Sequence, residues 1–182
     1  DVDNDGVNEV VFGSHDGGLY VISLIGTQKM VYFQDGYIVG SPSLFDLDLD
    51  GDMEIIFTTQ LGIDSGKLFA IHHDGTDLEG FPLDLNERMM VGPAIGDLEN
   101  DGIIDIVVCT WGENIYAIEK SGQLKAGFPF TSTRRFNSAP TLVDIDNDGD
   151  LEIIAGNDYG LLHILNHDAT EITSFDTRDD IR

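Results

Sequence analysis

DLDLDGDMEIIFTT, Asp46 to Thr59, decides how this chain folds. Its first nine residues put acids at positions 1, 3, 5 and 9 and glycine at position 6, the pattern by which a short loop wraps a hard cation in oxygen ligands around a sharp turn. The pattern recurs in DVDNDGVNE (Asp1 to Glu9), DLENDGIID (Asp97 to Asp105) and DIDNDGDLE (Asp144 to Glu152). We number these loops 1 to 4 in chain order, so that the quoted stretch is loop 2. Their starts, at Asp1, Asp46, Asp97 and Asp144, lie 45, 51 and 47 residues apart. A period in this range marks a repeat architecture and not scattered sites.

The residues after each loop separate it from the helical calcium loops. An EF-hand needs a bidentate acid at position 12 and an exiting helix, whereas position 12 here is Phe12, Phe57, Val108 and Ala155. The runs EVVFG, EIIFTT, DIVVCT and EIIAG are short, apolar and β-branched, and they stop at Gly, Thr or a turn, as buried strands do. Three loops are preceded by another strand, in SPSLFD (Ser41 to Asp46), GPAIGD (Gly92 to Asp97) and SAPTLVD (Ser138 to Asp144). Downstream, GLYVIS, KLFAIH, NIYAIE and LLHILN alternate at period 2, and MVYF, GFPLDL, GFPFTS and EITSF supply a further strand. Four strands per repeat with no helical period predict an all-β fold, a β-propeller of four-stranded antiparallel blades. The repeats run over 1–40, 41–91, 92–137 and 138–182, three complete and one lacking its first strand. The reading is of one partial propeller domain, 1–182, belonging to a larger propeller, with DTRDDIR (Asp176 to Arg182) opening the next connection.

Together, the strand, the DxDxDGxxE loop, the apolar strand and the alternating strand resemble the FG-GAP/VCBS repeats, which also build the calcium-binding propeller of integrin α subunits. The resemblance covers nearly the whole chain. It implies one calcium ion per blade, three to four in all, at the loop joining the first and second strands. Carried over residue by residue, the side-chain ligands are Asp1, Asp3, Asp5 and Glu9; Asp46, Asp48, Asp50 and Glu54; Asp97, Glu99, Asp101 and Asp105; and Asp144, Asp146, Asp148 and Glu152. Position 7, occupied by Val7, Asp52, Ile103 and Asp150, is expected to offer a backbone carbonyl. Loop 3 departs from the pattern, because Glu99 adds a methylene where the cage is tight, and loop 1 lacks its preceding strand.

Charge agrees with this reading. There are 34 acids against 9 bases and a formal charge of −25, yet sixteen of the acids are the proposed ligands, and four Ca²⁺ would bring the charge to −17. Such acidity argues against nucleic acid and anionic membranes as partners, since both need basic patches. Cys109, the single cysteine, has no partner within the chain and reads as a small core residue. Calcium sites of modest affinity fill where the ion is millimolar, which points to a secreted or cell-surface location. The sequence shows no signal peptide, transmembrane run or lipidation motif.

An enzymatic reading finds little to build on. No GxSxG elbow, HExxH helix or phosphate loop occurs. His72 and His73 end one alternating strand, His163 and His167 are read on its equivalent in the last repeat, and His15 lies in a turn. His72 aligns with Ser23, Glu119 and Asn166, so the imidazoles read as surface or half-buried groups and not as a repeated device. Tyr20, Phe69, Tyr116 and His163 form one column, as packing residues do. Trp111 reads as packing, with sugar stacking the sharper alternative, and the paired Arg134 and Arg135 are the candidate contact for an acidic partner. The expected function is therefore non-enzymatic: an extracellular calcium-binding propeller module for protein or glycan recognition or adhesion, its calcium structural. The alternatives are a propeller of a secreted polysaccharide-active enzyme and a spacer in a large surface protein. The expected partners are that ligand and either the remaining blades or an oligomeric partner.

Overall fold

A computed structural model describes residues 1–177; the end of the predicted DTRDDIR connection, 178–182, lies outside them. Two compact units make up the chain, Asp1–Gly92 and Pro93–Arg182. In the first, β1 (Glu9–Gly13), β2 (Gly18–Ser23) and β3 (Gln28–Phe33) form a three-stranded antiparallel sheet in that order. Beside them β4 (Ser43–Phe45), β5 (Glu54–Thr58), β6 (Lys67–Ile71) and β7 (Leu83–Asp84) form a four-stranded one. The second unit holds β8 (Ala94–Gly96), β9 (Asp105–Cys109), β10 (Asn114–Glu119) and β11 (Phe130–Thr131), and then β12 (Thr141–Val143), β13 (Glu152–Gly156), β14 (Leu161–Leu165) and β15 (Glu171–Asp176). Each sheet follows chain order, and the described residues contain no helix. These are β-propeller blades, each acidic loop joining the first and second strand where both are present.

Burial follows composition. The apolar runs of β5 and β9 are buried along their whole length, as strands covered on both faces must be. In the first unit the two sheets meet through Leu19, Val21, Ile55, Phe57, Phe69 and Ile71. Phe57 stacks on Phe69 with ring centroids 4.9 Å apart, and Tyr32 stands edge-on to both. The tyrosine hydroxyl then donates to Asp77 at 2.8 Å, giving the polar tip a partner. In the second unit the fourth place of the aromatic column is taken by His163, which is buried. Its Nε2 lies 2.9 Å from Ser132 Oγ and its Nδ1 2.7 Å from Glu171 Oε1, while Phe130 and Phe136 meet its ring edge-on. The order serine, histidine, acid is that of a nucleophilic triad. Ser132 is itself buried and its oxygen also accepts from Asn157 Nδ2 at 3.1 Å, so the set is a satisfied core network.

The blades share turn chemistry that confirms the alignment of the third strands. Ser23, His72, Glu119 and Asn166 each donate a backbone N–H to the carbonyl four residues on, at 2.8 to 2.9 Å, and accept one from the residue three on. That acceptor turn places Gly26, Gly75, Gly122 and Ala169 at positive φ.

Four expectations change. His167 lies in the turn after β14 and not on the strand, and His72 and His73 likewise follow β6. The fourth strands predicted over GFPLDL and GFPFTS pair at only two residues each, because Pro82 and Pro129 bring no N–H to the ladder. Both prolines follow cis peptide bonds. Asp176, assigned to the next connection, is the last residue of β15 and pairs with Leu161. Trp111, read as packing, is only half-buried.

Candidate metal sites

All four acidic loops fold by one set of bonds from their own carboxylates. The position-1 carboxylate accepts from the position-6 N–H, Gly6 to Asp1 at 2.9 Å, Gly51 to Asp46 at 3.2 Å, Gly102 to Asp97 at 2.7 Å and Gly149 to Asp144 at 3.2 Å. The position-5 carboxylate accepts from the N–H of position 7 at 2.8 to 3.0 Å in each loop. The position-9 carboxylate accepts from the N–H of position 2, at 3.0 Å for Glu9, 2.7 Å for Glu54, 3.2 Å for Asp105 and 2.7 Å for Glu152. Asp97 and Asp144 accept on both oxygens, Asp97 Oδ1 from the Asp101 N–H at 3.0 Å and Asp144 Oδ1 from the Asn147 N–H at 2.6 Å. Glycine at position 6 stands at φ between 85° and 104°, a region open to it at no steric cost.

Position 4 is left-handed as well, with φ of 52°, 64°, 51° and 64° at Asn4, Leu49, Asn100 and Asn147. Asparagine adopts this region more readily than leucine, which enters it at a steric cost. Leu49 is 73% exposed, so its side chain contributes little packing. Leu49→Asn should therefore raise the unfolding free energy by about 1 kcal/mol in chemical denaturation, through relief of left-handed strain.

The position-9 acids form the floor. Glu54, Asp105 and Glu152 are buried, and the Glu9 side chain is fully covered. Burial pushes the Glu54 carboxyl up, the Leu47 N–H pulling against it, and it pushes Asp105 up as well, against the nearby Lys125. A buried carboxylate is costly unless a cation answers it.

The loops answer it in two ways. In loop 1 the Lys29 ammonium lies 3.0 Å from Asp3 Oδ2, 2.9 Å from Asp5 Oδ2 and 2.7 Å from Glu9 Oε1. Those bonds, the one to Glu9 foremost, hold Lys29 well above the ordinary lysine range, and the bond from Lys29 holds Asp5 low. In loop 3 the Lys125 ammonium lies 3.0 Å from Asp105 Oδ2 and 3.1 Å from Glu99 Oε2, with its side chain 6% exposed. Burial pulls Lys125 down, but its two carboxylate partners outweigh that and leave it above its usual range.

Loops 2 and 4 are met by histidines. His73 Nδ1 is 2.9 Å from Asp52 Oδ2, and His167 Nδ1 is 3.1 Å from Asp150 Oδ2, each imidazole coming from the turn after the third strand. His72 Nδ1 is 3.1 Å from Glu54 Oε1. The imidazoles were expected not to be a repeated device, yet His73 and His167 repeat one contact. The adjacent His72 and His73 diverge to different carboxylates, but both of these belong to loop 2. Sequence reasoning missed Lys29, Lys125, His72, His73 and His167 as loop residues. The signal was present, since position 7 is Asp only in the two loops that a histidine reaches.

Ligand atoms converge closely enough for an ion. One carboxylate oxygen from each member lies within 4.8 Å of the others in Asp46, Asp48 and Asp50, in Asp144, Asp146 and Glu152, and in Asp1, Asp3 and Asp5, and an imidazole nitrogen of His72 joins oxygens of Asp48 and Glu54 in the same way. The oxygen-rich donor sets of loops 2 and 4 fit a hard divalent cation. Within each unit the loops touch in pairs, Met53 N–H donating to Val2 O at 3.0 Å and Leu151 N–H to Leu98 O at 2.9 Å.

The blade ends opposite the loops carry a different chemistry. His15 stacks on Tyr37 at 5.4 Å, and Arg135 lies over Trp111 at 4.2 Å. These pairs are equivalent, because Ile38 and Phe136, just after Tyr37 and Arg135, donate to Ser14 and Thr110, just before His15 and Trp111. Arg135 also pairs with Asp158, and Arg134 lies 4.0 Å over Tyr159. A cleft of about 480 Å³ opens beside His15, Tyr37 and Gln60, and one of about 330 Å³ beside Arg134 and Tyr159.

Fold and loops together define a β-propeller segment with acidic turn sites. The family model described as FG-GAP-like repeat matches residues 97–155, from loop 3 into β13, which bears out the resemblance read from the sequence. No curated protein sequence matches the chain. Among solved structures it is similar to the V. cholerae biofilm matrix protein Bap1, with a TM-score of 0.73 and 17% identity over 97% of this chain and 27% of that one. It is similar to BamB from Moraxella catarrhalis, TM-score 0.65 and 16% identity over 98% of this chain and 50% of that one. It is also similar to the C-terminal domain of PilY1 from Pseudomonas aeruginosa, TM-score 0.61 and 18% identity over 87% and 38%. The chain thus spans half or less of each of these proteins, and at such identities the likeness establishes the fold.

Proposed function

We propose that this chain is an extracellular, calcium-stabilised propeller segment that recognises a protein or glycan, with calcium structural and no catalytic role. One observation carries the reading: loops 2 and 4 preorganise carboxylates through identical backbone bonds and keep oxygens converging within 4.8 Å, which suits calcium's preference for many oxygen ligands in a flexible shell. The localisation follows from the metal, since sites of this kind fill at millimolar calcium. A net charge of −25 supports the same setting, because the protein repels anionic surfaces and stays soluble.

Recognition is assigned to the blade ends opposite the loops. There the stacked His15–Tyr37 pair borders one cleft and the Arg134–Tyr159 pair another, each with aromatic and hydrogen-bonding walls, the mixture that sugar rings and polar peptides take up. Loops at the ends of a rigid sheet scaffold are where binding residues accumulate. The test is a glycan and extracellular-protein binding screen on the calcium-loaded protein. Tyr37→Ala and Arg134→Ala should weaken the ligand found about tenfold or more while leaving the melting temperature in calcium nearly unchanged. Binding that survives both changes would move the recognition surface elsewhere, and a ligand-free outcome would favour a spacer role.

A further inference from the structure

We infer that the two loops within each unit are not equivalent: loops 1 and 3 are closed by a lysine ammonium built into the chain, and only loops 2 and 4 take calcium. The inference rests on the calcium reading above and narrows it from four sites to two. Its first support is geometric. Lys29 Nζ takes the oxygens of positions 3, 5 and 9 of loop 1 at 2.7 to 3.0 Å, the oxygens an ion there would need. Lys125 Nζ does the same to positions 3 and 9 of loop 3. An ammonium donating three hydrogen bonds and a Ca²⁺ ion seeking six to eight oxygens at 2.3–2.6 Å compete for one set of ligands.

The second support is positional. Gln28, Asp77, Leu124 and Glu171 hold one register position, opposite Ile22, Ile71, Ile118 and Leu165. The next residue is Lys29, Leu78, Lys125 and Ile172. Lysine therefore stands at this place in the first and third blades and an aliphatic residue in the second and fourth. Leu78 and Lys125 are matched further, since both donate a backbone N–H to the third strand, at Ala70 and Ala117, and both are buried. A buried lysine is expensive unless paired, as Lys125 is, and the return of lysine at the same place in the first blade, where Lys29 is exposed but again ringed by acids, points to a fixed counter-ion.

Position 7 alternates in step. It is Val7 and Ile103 in the lysine loops, and Asp52 and Asp150, each with its histidine, in the others. Glu99, the departure from the repeat pattern, fits as well: its longer arm meets an ammonium 3.1 Å away. The true repeat is thus two blades long. In each, a loop that needs no metal accepts the backbone bond that supports its calcium-dependent neighbour, at Val2 O from Met53 and at Leu98 O from Leu151. Two ions bring the net charge of −25 to −21.

The test is calcium stoichiometry by isothermal titration of the chelator-stripped protein, with Lys125→Met as the variant and Lys29→Met as its counterpart should the first fail to fold without metal. The wild type should bind two ions. Lys125→Met should bind three, melt lower than the wild type in chelator and regain most of the loss in calcium, because the emptied loop 3 becomes a metal site. Four ions in the wild type would overturn the inference and leave the calcium reading standing. So would two ions in both proteins with a loss of stability that calcium does not restore, which would make Lys125 a packing residue only. No calcium bound by either protein would overturn the calcium reading itself, and this inference with it.

Discussion

Removing calcium should lower the melting temperature of this protein by about 10 to 20 °C. An ion that binds only the folded state adds about 2.7 kcal/mol per site when its concentration is a hundred times Kd. Two such sites add about 5 kcal/mol, and a domain of this size moves its melting point by roughly 2–4 °C per kcal/mol. The loss should be large because the acids do not merely decorate the surface. Glu54 and Glu152 are buried, and each accepts the N–H that ties the start of its loop to the first residue of the second strand. Without a cation those carboxylates stay desolvated among like charges, Asp48 beside Glu54 among them. The comparison is a thermal melt in calcium against one in excess chelator, with magnesium as a third condition. Magnesium should recover only a small part, since it demands tight octahedral geometry and dehydrates reluctantly. A melting point indifferent to all three conditions would reduce the loops to ordinary turns.

Most of the architecture was legible because it is carried by local chemistry. Positions 1, 5, 6 and 9 form a closed set of loop-to-backbone bonds, so the nonapeptide specifies its own turn. The β-branched runs after it read as buried strands, and β5 and β9 are buried throughout, whereas β1, in the sheet that lacks a first strand, alternates between half-buried and exposed residues. The features that escaped lie at a distance in sequence. Lys29 and Lys125 each stand twenty residues beyond their position-9 partner, in strands or turns whose own patterns say nothing about charge pairing. His73 and His167 reach their acids from a turn, where a strand alignment centred on His72 looks one residue too early. Four repeats compared together reveal the fold, and comparison of alternate repeats is what exposes the two kinds of loop. The short fourth strands were overcalled for a different reason: GFPLDL and GFPFTS have the composition of strands, but a proline in each stops the ladder.

Phe57→Ala should cost about 3–5 kcal/mol, the usual range for emptying a buried aromatic site. Its ring is fully buried, lies parallel to Phe69 at 4.9 Å with an interplanar angle of 4°, and is met edge-on by Tyr32 from the neighbouring sheet of the same unit. Alanine would leave a void bounded by strands on both sides, and β5 has no slack to fill it because every one of its residues is buried. Phe12 is the internal control. It occupies the same position 12 of its repeat and stacks on Tyr20 at 5.3 Å, as Phe57 does on Phe69, yet it is 40% exposed. Phe12→Ala should cost about 1 kcal/mol or less, since only part of its surface is withdrawn from water. Urea unfolding of both variants in saturating calcium makes the comparison, and equal costs would mean that the first unit is not held together through this stack. Because Phe57 lies three residues after Glu54 on the strand that leaves loop 2, the same substitution links core to site. The variant should bind calcium more weakly at loop 2 while loop 4, in the other unit, keeps its affinity.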